Sequence, residues 1–130
     1  MSVAVIISDL GGVVHQNASV QDVPSGQVID LFEVLIDQVG EEAWLRFRFL
    51  APGIGRNEFD LSFAQVEGDF EHLCNTVALP YMQQFALDTD VISIAMMNRP
   101  LEFGESDAQA TQYVEAFRVV DGACAWKDLW

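Results

Sequence analysis

The alternation of apolar and polar side chains predicts a β-hairpin in the first half of the chain. Residues 41–50, EEAWLRFRFL, alternate apolar residues with arginines: Leu45, Phe47 and Phe49 with Arg46 and Arg48. Since successive side chains of a strand point to opposite faces, we expect an antiparallel strand with one buried face and one solvent-facing face. Residues 28–37, VIDLFEVLID, fit either a strand or a helical stripe. Their β-branched content favours a strand that turns into the next one near Gly40.

A helix is predicted over residues 62–79. Ser62 followed by Gln65 is a capping-box pattern, in which hydroxyl and amide side chains satisfy the free N–H groups of the first turn. Apolar residues then recur at helical spacing, at Phe63, Val66, Phe70, Leu73 and Val77. Proline lacks an amide hydrogen and clashes with the preceding turn, so Pro80 is expected to end or kink the helix.

The second half of the chain predicts two further strand regions. Residues 91–98, VISIAMMN, are almost entirely apolar and favour a buried strand. Residues 113–127 are expected to form a hairpin, because Asp121-Gly122 is a favoured two-residue turn. The residue pairs that follow from this turn are Phe117 with Trp126, Val119 with Cys124 and Val120 with Ala123.

These elements together predict an α+β fold: an antiparallel sheet of four to six strands, with the helix of about residues 62–79 packed on one face. Residues 3–7 read as one more short strand, and residues 15–27 as a loop. We expect a single domain over residues 23–130, preceded by residues 1–22 as a strand and loop or as a degenerate leader. No stretch approaches the roughly 20 apolar residues of a membrane span.

The charge balance limits the kinds of molecule that the protein is expected to bind. The chain has 20 acidic and 6 basic residues, for a net charge of −14. Such a chain is poorly suited to nucleic acid or anionic membranes, which require clustered lysine and arginine, so a protein partner is expected. The charge also allows an alternative, an acidic inhibitor that mimics nucleic acid, such as a phage-encoded antagonist of a defence nuclease.

The two cysteines, Cys74 and Cys124, both fall on apolar faces, one on the helix and one on the last hairpin. They are either a disulfide that ties the helix to the sheet or two buried thiols, and we favour the disulfide. A disulfide implies an oxidising compartment such as the periplasm or the cell exterior, whereas free thiols would fit the cytoplasm.

Residues 5–14, VIISDLGGVV, resemble the first motif of the haloacid dehalogenase superfamily, in which an aspartate after a hydrophobic strand is the nucleophile. That resemblance implies a phosphatase with Asp9 as its nucleophile. Gly11 stands where the phosphatases of that family place a second acid, and the single lysine, Lys127, has no acid pair after it to hold Mg²⁺. We therefore reject this interpretation and take Asp9 as a turn residue.

Other candidate sites are few. Arg46 and Arg48 would form a small site for an anion or a partner if both project from one strand face, while ion pairs with the abundant acids are the simpler interpretation. His15 and His72 are isolated, and no His or Cys has the spacing of a metal site. No catalytic residue, metal or cofactor is predicted.

Several segments resemble a family of small alphaproteobacterial proteins classed only as a domain of unknown function. They include VPSGQ (23–27), WLRFRFLAPGI (44–54), RPLEFGESDAQATQYVEAFR (99–118) and DGACAW (121–126). The resemblance covers about residues 23–130 and implies an exported protein, although the first 20 residues make a poor secretion signal. It brings no activity or site residues. We therefore expect a small binding or assembly module outside the cytoplasm rather than an enzyme.

Overall fold

The computed structural model describes residues 5–7, 13–15 and 22–127. Its elements in chain order are β1 (Val5–Ile7), β2 (Val13–His15), β3 (Asp30–Val39), β4 (Glu42–Leu50), α1 (Phe63–Leu73), a π-helical turn (Cys74–Ala78), α2 (Leu79–Gln84), β5 (Val91–Met97), β6 (Gln112–Val120) and β7 (Ala123–Trp126). Strands β3 to β7 form one five-stranded sheet in sequence order, and β1 pairs with β2 separately. The predicted α+β class and strand number are confirmed.

Three of the four strand pairs of this sheet are antiparallel, and β4 pairs with β5 in parallel. Residues 51–90, which include the helix, connect these two strands and return the chain to the end of the sheet where β4 began. A parallel pair needs such a long crossover, whereas a hairpin needs only a few residues. The helix therefore accounts for the one parallel pairing.

Both predicted hairpins form. The β6–β7 register pairs Phe117 with Trp126 and Val119 with Cys124, as expected from the two-residue turn. Asp121 and Gly122 have φ angles of 52° and 80°, the left-handed conformations that this type of hairpin turn requires. The β3–β4 hairpin turns at Gly40, whose φ is 62°.

The helix begins as predicted and continues past its predicted end. Ser62 and Gln65 form the reciprocal capping box. The helix then runs to Gln84, because a π-helical turn (Cys74–Ala78) ends two residues before Pro80. In this turn the N–H of Leu79 donates to the carbonyl of Cys74, five residues back. The missing amide of Pro80 falls where the hydrogen bonds change from this wider spacing to the α-helical one, so the helix accommodates it.

One face of the sheet packs on the helix, and we call it the helix face. Strand residues Leu45, Phe47, Phe49, Ile92, Ile94 and Phe117 and helix residues Val66, Phe70, Leu73 and Tyr81 form its core. Burial raises the pKa of Tyr81 from 10.0 to about 12, because the phenolate would lose its hydration.

A buried carboxylate fixes the chain before it enters β3. Asp69 of α1 is completely buried and accepts hydrogen bonds from the backbone N–H of Ser25, from its hydroxyl, and from the side-chain amide of Gln27. These contacts explain the polar residues of the VPSGQ segment, because they supply the donors that a buried carboxylate needs.

The opposite face of the sheet, which we call the outer face, is covered by residues 98–111. This covering segment connects β5 to β6, and its ends meet where the N–H of Asn98 donates to Thr111 and the Asn98 side chain accepts in return. A second small apolar cluster forms beneath it from Met97, Leu101, Ala110, Phe32 and Leu50. The prediction that Arg48 faces solvent is therefore wrong: only 3% of it is exposed.

At the N-terminus, β1 and β2 form a short antiparallel pair with Val5 opposite His15. His15, expected to begin a loop over residues 15–27, instead lies at the end of β2. Asp9, the residue of the rejected phosphatase interpretation, lies outside the described residues. None of the described helices is both long and apolar enough to cross a membrane.

Candidate functional site

The outer face acquires its shape from a β-bulge in β3. Leu31 pairs with Phe49 and Glu33 pairs with Arg48, so Phe32 between them has no partner in β4. A bulge of this kind locally breaks the strict alternation of faces and re-aims side chains. As a result, the adjacent residues Phe32 and Glu33 line the same cleft on the outer face.

Arg48 attaches the covering segment to the sheet. Its guanidinium donates to the carboxylate of Glu33 at 2.7 Å and to the backbone carbonyl of Leu101 at 2.7 Å. A buried arginine is tolerated only when its charge and its donors are satisfied, and both conditions are met here. The position of the chain at Leu101 is therefore fixed by a side chain of the central strand β4.

Arg46, two residues earlier in β4, makes a second set of contacts on the same face. Its Nε and Nη2 atoms donate to Asp37 at 3.1 and 3.0 Å. The guanidinium carbon lies 5.0 Å from the ring centroid of Trp44 and 5.0 Å from that of Phe103. The carbon of Arg48 lies 5.8 Å from the Phe103 ring, so both arginines make cation–π contacts with this one phenylalanine.

Phe103 occupies the tip of a tight turn. The N–H of Glu105 donates to the carbonyl of Glu102 at 2.9 Å, and Gly104 has a φ of 84°, a left-handed angle that glycine adopts without strain. One side of the Phe103 ring rests on the arginines, and 48% of the residue remains exposed. The turn thus presents an aromatic side chain to solvent in a fixed position.

Two clefts lie beside Phe103. The larger, which we call the Phe32 cleft, has a volume of about 550 Å³ and is lined by Phe32, Glu33, Pro100, Leu101, Glu102, Phe103 and Glu105. The smaller has a volume of about 270 Å³ and extends over Arg46, Arg48, Ser93, Ala95, Gln112 and Val114. Ser93 and Ala95 are the partners of the two arginines in β5, and their small side chains leave the space that this cleft occupies.

Some of the charged side chains around Phe103 form ion pairs and others do not. Arg46 is paired with Asp37 and Arg48 with Glu33. Glu102 and Glu105 are exposed, and within the described part of the chain neither carboxylate is in an ion pair. The Phe32 cleft therefore carries excess negative charge beside an exposed aromatic ring.

Of the residues singled out in the sequence, the two cysteines form the disulfide that was predicted, with their Cα atoms 6.2 Å apart. It joins the π-helical turn to β7, and next to it the side-chain oxygen of Asn75 accepts from the N–H of Cys124. The arginines Arg46 and Arg48 do project together from one strand face, where each is held in an ion pair. The cysteines and the arginines lie on opposite faces of the sheet.

Sequence reasoning did not single out Phe103, Glu102, Glu105 or Phe32 as site residues. A partial signal for the first three is present in EFGE (102–105), because a glycine in a polar stretch is typical of a tight turn. The role of Phe32 depends on the bulge, which alternation of apolar residues does not reveal.

Comparison with known proteins yields one match. A family described as a family of unknown function (DUF6497) matches residues 8–129. No match was found among curated proteins, and none among solved structures. The uncharacterised family expected from residues 23–130 is confirmed, and its match begins earlier, at residue 8. Since the match covers nearly the whole sequence, this chain belongs to the DUF6497 family of unknown function.

Proposed function

We propose that this protein is a non-catalytic binding module that recognises a protein partner through the outer face around Phe103. The observation that carries the proposal is the half-exposed Phe103 ring, which Arg46 and Arg48 hold above two open clefts. An aromatic side chain whose conformation is already fixed loses little entropy when a partner covers it.

The network around Arg48 supports this function. Its bonds to Glu33 and to the Leu101 carbonyl hold the covering segment against a central strand. Binding surfaces gain affinity when their anchor residues rest on rigid elements, and aromatic residues are enriched among such anchors. In this proposal both predicted arginines serve the partner site by positioning Phe103.

Photo-crosslinking in the native host tests the proposal. The photoreactive residue p-benzoylphenylalanine is placed at position 103 and, as a matched control, at Phe59, which is 95% exposed and lines neither cleft. We expect a discrete adduct with one protein from position 103 that is absent from position 59. Excess unlabelled chain should suppress this adduct, whereas excess Phe103→Ser chain should not. Equal adducts from both positions, or none from position 103, would contradict the proposal.

We also propose that the protein works outside the cytoplasm, in the periplasm or the cell exterior. The disulfide Cys74–Cys124 supports this location, since such bonds persist in oxidising compartments. The test is acid quenching of native cells followed by alkylation of free thiols. We expect both cysteines to resist alkylation until reductant is added. Two alkylated cysteines in freshly quenched cells would place the protein in a reducing compartment.

The nucleic-acid mimic remains the alternative function, and it requires carboxylates arranged in rows on one face. Exposed acids include Glu67 and Glu71 on the helix and, across the sheet, Glu102 and Glu105 on the covering segment. This placement on two opposite sides favours a local binding site over a continuous acidic face.

A further inference from the structure

We infer that the segment of the partner that contacts Phe103 is basic, with an apolar side chain adjacent to lysine or arginine. This inference rests on the proposed function, and it specifies the chemistry of the ligand at the same surface. Its basis is the combination, in the Phe32 cleft, of an exposed aromatic ring with two carboxylates, Glu102 and Glu105, that form no ion pair within the described residues.

The charges in the cleft determine whether a positively or a negatively charged ligand fits it. Three carboxylates line it, those of Glu33, Glu102 and Glu105. Arg48 neutralises Glu33, so two negative charges remain. Although two arginines lie near Phe103, both are already paired and neither is left to attract an anion. A cationic ligand therefore fits this surface better than an anionic one.

The turn that presents Phe103 determines the spacing of the contacts. Glu102 and Glu105 flank the tip of the turn on its two sides, and their backbones are hydrogen-bonded to each other. An apolar side chain of the partner can cover Phe103 and Phe32 while cations on either side reach the two carboxylates. The apolar contact supplies burial, and the two cations supply the preference for a basic sequence.

Titration of the ¹⁵N-labelled full chain with short peptides tests this inference. The probes are acetyl-Lys-Leu-Lys-amide, acetyl-Gln-Leu-Gln-amide and acetyl-Glu-Leu-Glu-amide. Binding of each peptide is measured from the changes in the amide chemical shifts of the protein. We expect the lysine peptide to shift signals of residues 32–33 and 101–105 saturably, with affinity about fivefold or more above that of the glutamine peptide. The affinity should fall as salt is raised from low to physiological concentration, because exposed charges are screened.

Paired variants separate local charge from net charge. The double substitution Glu102→Gln and Glu105→Gln removes the two unpaired carboxylates, and we expect about a fivefold loss of affinity for the lysine peptide. The control, Glu58→Gln with Glu67→Gln, removes two exposed carboxylates elsewhere and reduces the net negative charge by the same amount. All four residues are exposed, so neither variant should lose stability. We expect the control to bind as the native chain does.

The possible results distinguish this inference from the function on which it rests. If position 103 crosslinks to a partner but the glutamine or glutamate peptide binds as tightly as the lysine peptide, the inference is overturned and the binding function stands. Equal losses in both double variants would also overturn it, since only net charge would then matter. If position 103 forms no specific adduct and no peptide binds, the function and the inference both fail.

Discussion

On the helix face, Leu45, Phe47 and Phe49 of β4 are completely buried beneath α1, while Arg46 and Arg48 of the same strand lie on the outer face in ion pairs. The helix face is closed by dense apolar packing and by a disulfide. The outer face is covered by a segment without regular structure, with clefts on both sides of an exposed aromatic ring.

Under the proposed function, the difference shows how one sheet would combine stability with recognition. Burial of apolar surface supplies most of the folding free energy, and most side chains of the helix face serve this purpose. One open cleft of about 430 Å³ remains on that side, between α2 and the β6–β7 turn. The polar contacts of the outer face fix the position of a turn while leaving its tip exposed. Four predictions, ordered from the largest expected effect to the smallest, test this division between the faces.

Truncating one phenylalanine on each face should give the largest contrast. Phe47→Ala removes a fully buried ring and leaves a cavity, so we expect a loss of about 3–5 kcal/mol in the free energy of unfolding. Phe103→Ala removes a half-exposed ring, and the expected loss is below about 1 kcal/mol. Urea denaturation measures both. Similar losses for the two variants would show that Phe103 is a core residue and not a recognition element.

Removing the disulfide should have the next largest effect. The double variant Cys74→Ala with Cys124→Ala is expected to lose about 3 kcal/mol, because the unfolded chain is no longer cross-linked across 50 residues of sequence. Urea denaturation with and without reductant checks this. Reductant should destabilise the native chain and leave the double variant unchanged. If reductant did not change the free energy of unfolding of the native chain, the disulfide would contribute little to the stability of the helix face.

The two arginines should differ in their effect on stability. Arg48→Met leaves the Glu33 carboxylate and the Leu101 carbonyl without their buried donor, and we expect a loss of about 2 kcal/mol. Arg46→Met breaks a more exposed pair with Asp37 and should cost less than about 1 kcal/mol. Hydrogen exchange should also speed up in residues 99–105 of the Arg48 variant. Equal losses of stability in the two variants would argue against a special role for Arg48 in holding the turn.

At neutral pH the smallest effect is expected from Tyr81 on the helix face, because its effect on stability is confined to alkaline pH. Burial raises its pKa to about 12, whereas in the unfolded chain it ionises near 10.0. The folded state therefore holds this proton more tightly, and its contribution to stability is complete below pH 10 and is lost as the pH rises to about 12. Denaturation at several alkaline pH values should show this decline, and Tyr81→Phe should make it shallower. An identical decline in both proteins would contradict the assignment.

Local patterns were sufficient to predict most elements of the fold. The capping box at Ser62 and the Asp121-Gly122 turn each depend on residues within a few positions, and both occur as expected. The extension of the helix past Pro80 was not predictable, since it depends on a π-helical turn that no local pattern reveals. The covering segment was missed for a related reason: it has no periodicity, and only its contacts with the sheet give it a defined position.

The candidate site was only partly visible for the same reason. Arg46 and Arg48 stood out because they alternate with apolar residues, but the acids that neutralise them come from β3. From the sequence alone, ion pairs were the simpler interpretation, but the partner acids could not be named and an anion or partner site stayed open. The position of Phe103 could not be predicted either, because its ring is held by contacts with two arginines that are distant in sequence.

The sequence by itself determined most of the elements, the α+β class, the register of the last hairpin and the faces on which both cysteines lie. These properties follow from periodicity, capping and turn preferences, which act over a few residues. Only the tertiary structure decided which charges are neutralised, how far the outer face is covered and which aromatic ring is held half-exposed between two clefts. Those properties arise from contacts between residues that are distant in sequence, such as Arg48 with Leu101, and such contacts exist only once the chain has folded.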